Sequence, residues 1–161
     1  MALVAEAMVP GITAAFTSGV EGAGSDEIAT AIATAYDLYA KTAQSCSGLT
    51  PTLVQLADLQ SGLKDALSDS SQTALESAKL WAAAAESYWT GALFGVTGLV
   101  VATPGTAALE VELGAVFGNV VNTLPSAAQQ IATALDKFTK LVAVKDSVLP
   151  IPTGCGPSPI S

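Results

Sequence analysis

The chain of 161 residues contains no histidine, and its six basic residues are all lysines, so arginine is absent as well. Without histidine there is no imidazole to act as a base near neutral pH or to bind a metal ion. Without arginine there is no guanidinium to hold a phosphate or carboxylate through two parallel hydrogen bonds. A net charge of −8 with scattered lysines also argues against a nucleic-acid partner, which needs a basic surface. These absences predict a protein that is not an enzyme.

Aromatic residues are scarce at 6%, and charged residues make up only 12%, whereas half of the chain is hydrophobic. The core must therefore be built mainly from alanine, leucine, valine and isoleucine, and alanine is the most frequent residue. Small side chains suit thin helices that pack closely. The length suits a single domain.

Prolines at helix-start positions divide the chain into three segments that begin near Pro10, Pro51 and Pro104. Each segment has the pattern of a helix, a short polar turn and a second helix, with apolar residues every three or four positions. The predicted fold class is all-α. It consists of three helical hairpins, about six helices, at about residues 1–45, 50–100 and 103–146 of a bundle over 1–149. The tail over 150–161 holds four prolines and no charge, so it is predicted to be extended.

Two of the predicted helices resemble each other. Residues 32–41 and 131–140 align without a gap and share the run IATA, an aspartate, an aromatic residue and a lysine. This favours an internal duplication, although alanine-rich helices also resemble one another through composition alone.

The two cysteines, Cys46 and Cys155, cannot form a four-ligand zinc site without histidine, and their spacing is not that of a CxxC motif. Neither has a histidine to activate its thiolate. No metal or cofactor is therefore expected. Free thiols, a disulfide within the chain and disulfides between chains all remain open, and we expect at least one cysteine to be oxidised because both lie in turn-rich segments.

An uncharged run from Ser87 to Leu109 suggests a membrane segment at first sight. Glycines and the pair Pro104-Gly105 interrupt it, so the unbroken apolar stretch is shorter than the roughly 20 residues that a span needs. Membrane insertion is not expected. A buried helix end followed by an apolar connector is favoured over a span, and so is an exposed surface that contacts a partner. The candidate partner contacts in this run and in the tail are Trp89, Phe94, Val96, Leu99, Val100, Val101, Pro150, Ile151, Pro152, Pro157, Pro159 and Ile160.

The IATA helices and the segments rich in threonine, glycine and proline that follow them resemble small structural proteins of tailed-phage virions. The similarity is to tail and baseplate components of contractile-tailed phages. Those proteins often combine an Ala/Ile/Thr helix that ends in an aromatic residue, as in residues 28–39 and 131–138, with an extended tail. The resemblance covers about a third of the chain. It implies a helical adaptor without catalysis that contacts other virion proteins in a multi-copy complex.

Two other classes of function remain open from the sequence. One is a membrane-active protein, such as a holin-like or pore-forming hairpin, and the other is a helical binding or carrier module with a cavity between its hairpins. The start of the chain carries Glu6 and no basic residue, so no secretory signal is expected. The location that the resemblance implies is the virion, assembled in the host cytoplasm.

Overall fold

The computed structural model describes residues 3–145 and 158–160. Six α-helices form three consecutive hairpins within these residues, so the prediction of about six helices in three hairpins is confirmed. The helices are α1 (Val9–Val20), α2 (Ser25–Ala40), α3 (Leu56–Ser68), α4 (Ala74–Trp89), α5 (Thr106–Phe117) and α6 (Leu124–Leu141), and a 3-10 turn (Ala5–Ala7) precedes them.

Local sequence explains where several helices begin. Thr73 accepts a hydrogen bond from the Glu76 N–H, and the Glu76 carboxylate accepts one from the Thr73 N–H, which is a capping box at the start of α4. Thr123 caps α6 through the Ser126 N–H. Pro10 lies in the first turn of α1 as predicted, but Pro51 begins a β-strand instead of a helix. Proline fits both positions because its fixed φ suits a helix start and a strand at a sheet edge, and neither position needs a backbone N–H donor.

The six helices form a closed ring. Each helix packs against the next one along the chain, and α6 returns to pack against α1. Small residues allow the two closest approaches within hairpins. A Cβ atom added to Gly11 would lie 2.6 Å from the Ala35 Cβ, and one added to Gly62 would lie 2.6 Å from the Ala84 Cβ.

A small antiparallel sheet closes one end of this ring, so the all-α prediction is only approximately correct. Four strands lie within residues 3–145 and a fifth follows at 158–159, and neighbours in sequence are neighbours in the sheet. The strands are β1 (Pro51–Leu53), β2 (Leu93–Phe94), β3 (Gly98–Ala102), β4 (Ala143–Lys145) and β5 (Ser158–Pro159). They form here because β1, β2 and β4 follow the C-terminal ends of α2, α4 and α6, which lie at the same end of the ring.

The edges of the sheet both carry a proline, Pro51 in β1 and Pro159 in β5. Proline cannot donate a backbone hydrogen bond to a further strand, so these short edges resist pairing with another sheet.

The uncharged run from Ser87 to Leu109 is divided between the end of α4, the β2–β3 hairpin and the start of α5. Across the residues that the structure describes, no helix has the length and hydrophobicity needed to cross a bilayer.

At the far end of the chain, Ile160 is buried, and its N–H donates to the Val142 carbonyl at 3.1 Å. The last described residues of the tail therefore pack on the chain's own core.

Candidate functional site

A chain of buried hydrogen bonds joins α2, α4 and α6 at the sheet end of the ring. Trp89 Nε1 donates to the Tyr36 hydroxyl at 2.8 Å, and that hydroxyl lies 2.7 Å from Thr139 Oγ1. Thr139 uses its one proton to donate to the Leu135 carbonyl at 2.8 Å, so it must accept from Tyr36. Every donor in this series of hydrogen bonds has its acceptor within the protein. Its geometry fits a role in holding the three helices together.

Two buried aspartates lie in the two similar segments, Asp37 in α2 and Asp136 in α6. Asp37 pairs with Lys41 at 2.6 Å, and Asp136 pairs with Lys140 at 2.8 Å. The lysine follows the aspartate by four residues in both helices, so each pair is local to its helix.

The second oxygen of each carboxylate accepts a hydrogen bond from a tyrosine on another helix. Tyr88 of α4 donates to Asp37 at 2.9 Å, and Tyr39 of α2 donates to Asp136 at 2.6 Å. Both carboxylates are therefore satisfied by partners within the chain. Aligned residues of the two similar segments thus perform similar structural tasks.

Burial raises the pKa of all three tyrosines, Tyr36, Tyr39 and Tyr88, above its ordinary value. The hydrogen bond to Asp136 raises the pKa of Tyr39 further, and the charge of Asp37 does the same for Tyr88. The tyrosines therefore stay protonated and act as donors. This arrangement suits structural hydrogen bonding, since an acid or base in catalysis needs a pKa near the working pH.

The opposite end of the ring, where the three hairpin turns lie, contains an open cavity of about 410 Å³, which we call the axial cavity. Five of the six helices contribute to its wall. Its lining residues are Phe16, Ala66, Leu67, Gln72, Ala74, Ser77, Trp81, Val116, Phe117, Asn119, Asn122, Leu124, Ala127 and Ile131. The rings of Trp81 and Phe117 meet edge to face, 5.4 Å apart. Among the residues that the structure describes, no charged side chain lines this space, so its chemistry is apolar with a few amide and hydroxyl groups.

Asn122 places an unused donor in this wall. Its Oδ1 accepts from Gln130 Nε2 at 3.2 Å, but its Nδ2 atom is buried and has no hydrogen-bond partner among the described residues. A buried donor without an acceptor is costly, by about 1–3 kcal/mol.

Exposed valines lie at the same end of the ring as the axial cavity. Val20, the last residue of α1, is 77% exposed, and Val120 and Val121, in the turn that follows α5, are 94% and 84% exposed. At the opposite end of the molecule, Val96 at the tip of the β2–β3 hairpin is 94% exposed. Turns normally hold glycine, proline, asparagine, aspartate or serine at such positions, so valine has no local reason to be there.

The structure separates the predicted partner contacts into three groups. Trp89, Phe94 and Ile160 are core residues, which corrects their placement on a partner surface. The Trp89 and Phe94 rings stack 5.9 Å apart beneath the sheet, because a hydrophobic side chain at the end of α4 is directed into the ring.

The other predicted contacts lie at the surface or outside the described residues. Val96, Leu99 and Val101 are exposed, Val100 is half-buried, and Pro159 lies in β5. Pro150, Ile151, Pro152 and Pro157 lie outside the described residues.

A cavity between hairpins was one of the alternatives left open from the sequence, but the residues that line the axial cavity and the exposed valines at that end were not predicted. The signal that could have found the valines is their position in polar turns, as in Gly118-Asn119-Val120-Val121-Asn122. The cavity itself had no such signal, because five separate helices build it.

Cys46 is disulfide-bonded, and Cys155, the other cysteine of the chain, lies outside the described residues. Within residues 3–145 and 158–160, no group of three histidine, cysteine, aspartate or glutamate side chains is placed to hold a metal ion.

Comparison of the chain with protein-family models, with curated proteins and with solved structures finds no match.

Proposed function

We propose that this protein is a structural part of a multi-subunit particle and has no catalytic role, as the resemblance to tail and baseplate proteins of contractile-tailed phages implies. The observation that supports this most is the high exposure of four valines at opposite ends of the molecule: Val20 at the end of α1, and Val96, Val120 and Val121 in turns. Burying a valine side chain in a contact stabilises that contact by about 1.5–3 kcal/mol. Apolar residues at both ends suit a protein that is covered at both ends by neighbouring subunits.

The internal network supports the same proposal. The polar groups of Tyr36, Trp89 and Thr139 form hydrogen bonds between helices, and the buried aspartates pair with lysines of their own helix. Such a body keeps its shape while its ends contact other subunits. A rigid shape reduces the entropy lost on assembly.

Mass spectrometry of purified particles tests this role. We expect the chain to be present at a fixed copy number relative to a known structural protein of the same particle, and to remain after washing at high salt. Detection in the cell lysate with loss from purified particles would overturn the proposal.

A binding or carrier module is the second candidate, and the axial cavity is the observation that favours it. A volume of about 410 Å³ lies in the range of small-molecule sites. The exposed valines at the same end of the ring add apolar surface outside the cavity, which suits a polypeptide better than a small enclosed ligand. The assembly role therefore accounts for more of the surface.

A further inference from the structure

The three hairpins share one pattern of buried residues, which extends the similarity of α2 and α6 to α4. The second helices of the hairpins align at intervals of 49 and 50 residues, and four aligned sets are buried in all three. The sets are Ala29, Ala78 and Ala128; Ala33, Ala82 and Ala132; Tyr39, Tyr88 and Phe138; and Ala43, Ala92 and Val142. The last three residues also make the same turn, since each N–H donates to the carbonyl three residues earlier. The hairpins can therefore be compared position by position.

The second and third hairpins have equivalent turns between their helices. In the turn between α3 and α4, the Ser71 N–H donates to Asp69 Oδ1 at 2.8 Å, and in the turn between α5 and α6, the Val121 N–H donates to Asn119 Oδ1 at 3.2 Å. The N–H of the next residue donates to the Asp69 or Asn119 carbonyl, at 3.3 and 3.2 Å. Both turns end in a threonine that caps the following helix. The two turns thus have the same backbone hydrogen bonds.

Two positions of these turns differ in chemistry. Ser70 and Ser71 of the second hairpin correspond to Val120 and Val121 of the third, and we call residues 119–123 the valine turn. Serine forms the turn as well as valine does, so the fold does not require an apolar side chain there. The two valines are nevertheless 94% and 84% exposed. One exposed apolar residue needs no explanation, but two adjacent ones in a turn that serine can form indicate a contact outside the chain.

The charged side chains beside the valine turn are mainly acidic. A Cβ atom added to Gly118, the residue before this turn, would lie 3.9 Å from the Cβ of Ala74 at the start of α4. Asp69 and Glu76 are exposed on either side of that helix start, and Lys79 follows Glu76 by three residues. Within the described helices that lead into the three turns, α1, α3 and α5, no lysine lies in the last turn. The valine turn is itself uncharged, so its surroundings favour a partner with basic residues over an anionic membrane.

We propose that the valine turn is a partner-binding site, at which Val120 and Val121 enter an apolar pocket of a neighbouring protein subunit whose rim carries lysine or arginine. This rests on the proposed function and deepens it, because it assigns one contact of the particle to one turn. The equivalent turn of the second hairpin has serines, so the site belongs to the third hairpin and fixes how the chain faces its neighbour. Two valines bury a small area, so the contact is weak alone and is strengthened by other contacts within the particle.

Exchange of side chains between the two turns tests the proposal. The double variant Val120→Ser/Val121→Ser gives the valine turn the side chains of the second hairpin, and Ser70→Val/Ser71→Val makes the opposite change as the matched control. Both should unfold in urea like the wild type, because both sequences form the same turn. Particles are assembled with each variant as the sole source of the chain, and mass spectrometry measures its copy number against a known structural protein. The valine-to-serine variant should fall by about tenfold or more, whereas the control should stay at the wild-type level.

Photo-cross-linking within the particle identifies the partner. A photoreactive amino acid in place of Val120 should cross-link to one other protein of the particle, at an apolar peptide with lysine or arginine beside it. The same amino acid in place of Ser70 should give no such product. If circular dichroism shows that the double valine-to-serine variant does not fold, Val120→Ser alone takes its place in the copy-number measurement.

A valine-to-serine variant with the wild-type copy number, or an equal loss in the control, would overturn the site and leave the assembly role standing. A cross-link to a second copy of this chain, or to a peptide without basic residues, would overturn the stated partner. So would wild-type binding to vesicles of phosphatidylglycerol and phosphatidylethanolamine that the valine-to-serine variant loses. Absence of the wild type from purified particles is a separate result, because it overturns the proposed function itself.

Discussion

At the scale of single residues, burial decides what a hydroxyl contributes, as Thr133 and Thr139 illustrate. Both lie in α6, and both donate at 2.8 Å to the backbone carbonyl four residues earlier. Thr133 is half-buried, whereas Thr139 is fully buried and also accepts the hydrogen bond of Tyr36. Only the second hydroxyl therefore links two helices.

We predict that Thr139→Val lowers the free energy of unfolding by about 1–3 kcal/mol, because it removes the acceptor of a buried tyrosine hydroxyl. Thr133→Val makes the same chemical change on the same helix and should stay within about 0.5 kcal/mol of the wild type. Urea unfolding of the two variants checks this. Equal effects would mean that the buried hydrogen-bond chain contributes no more than a local helix contact.

At the scale of elements, glycine has different tasks in α3 and α5. A Cβ atom on Gly62 would lie 2.6 Å from the Ala84 Cβ and 3.2 Å from its Cα, so α3 and α4 could not keep their present spacing. A Cβ atom on Gly114 of α5 would meet nothing closer than 3.8 Å. The first glycine is needed for packing, and the second is not.

We predict that Gly62→Ala destabilises the fold by about 1–3 kcal/mol through overpacking, even though alanine is the better helix former. Gly114→Ala should instead stabilise it by about 0.5–1 kcal/mol, since only helix propensity changes there. Thermal unfolding followed by circular dichroism separates the two. A stabilised Gly62→Ala variant would show that the two helices can move apart at little cost.

The helices could be predicted because their signals are local. Apolar spacing and polar turns lie within each hairpin, and they indicated six helices correctly. The strands could not be predicted in the same way. Each is two to five residues long, and apart from β2 and β3, which form a local hairpin, the paired strands come from separate parts of the chain, as when Leu99 of β3 pairs with Lys145 of β4. Pro51 illustrates the difference, because proline is acceptable at a helix start and at a sheet edge alike.

At the scale of the whole molecule, closure of the six-helix ring brings together the residues of the buried hydrogen-bond network. It also forms the sheet at one end and the axial cavity at the other. Tyr36 and Thr139 are 103 positions apart, so no sequence window contains their hydrogen bond. The burial of Trp89 and Phe94 has the same origin, since only the closed ring and its sheet cover them. The sequence indicated that Val96 would be exposed, but the axial cavity at the opposite end depends on the positions of five helices. The exposure of Val96 could therefore be predicted from the sequence, whereas the axial cavity could not.

The central claim is that the apolar ends are covered when the protein works. Hydroxyl-radical footprinting read by mass spectrometry compares the dissociated chain with the chain in purified particles. We predict that labelling of Val96 and of the Val120-Val121 turn falls several-fold on assembly, whereas Val111, which lies in neither surface, serves as the internal reference. Unchanged labelling of both ends relative to Val111 in the particle would contradict the account.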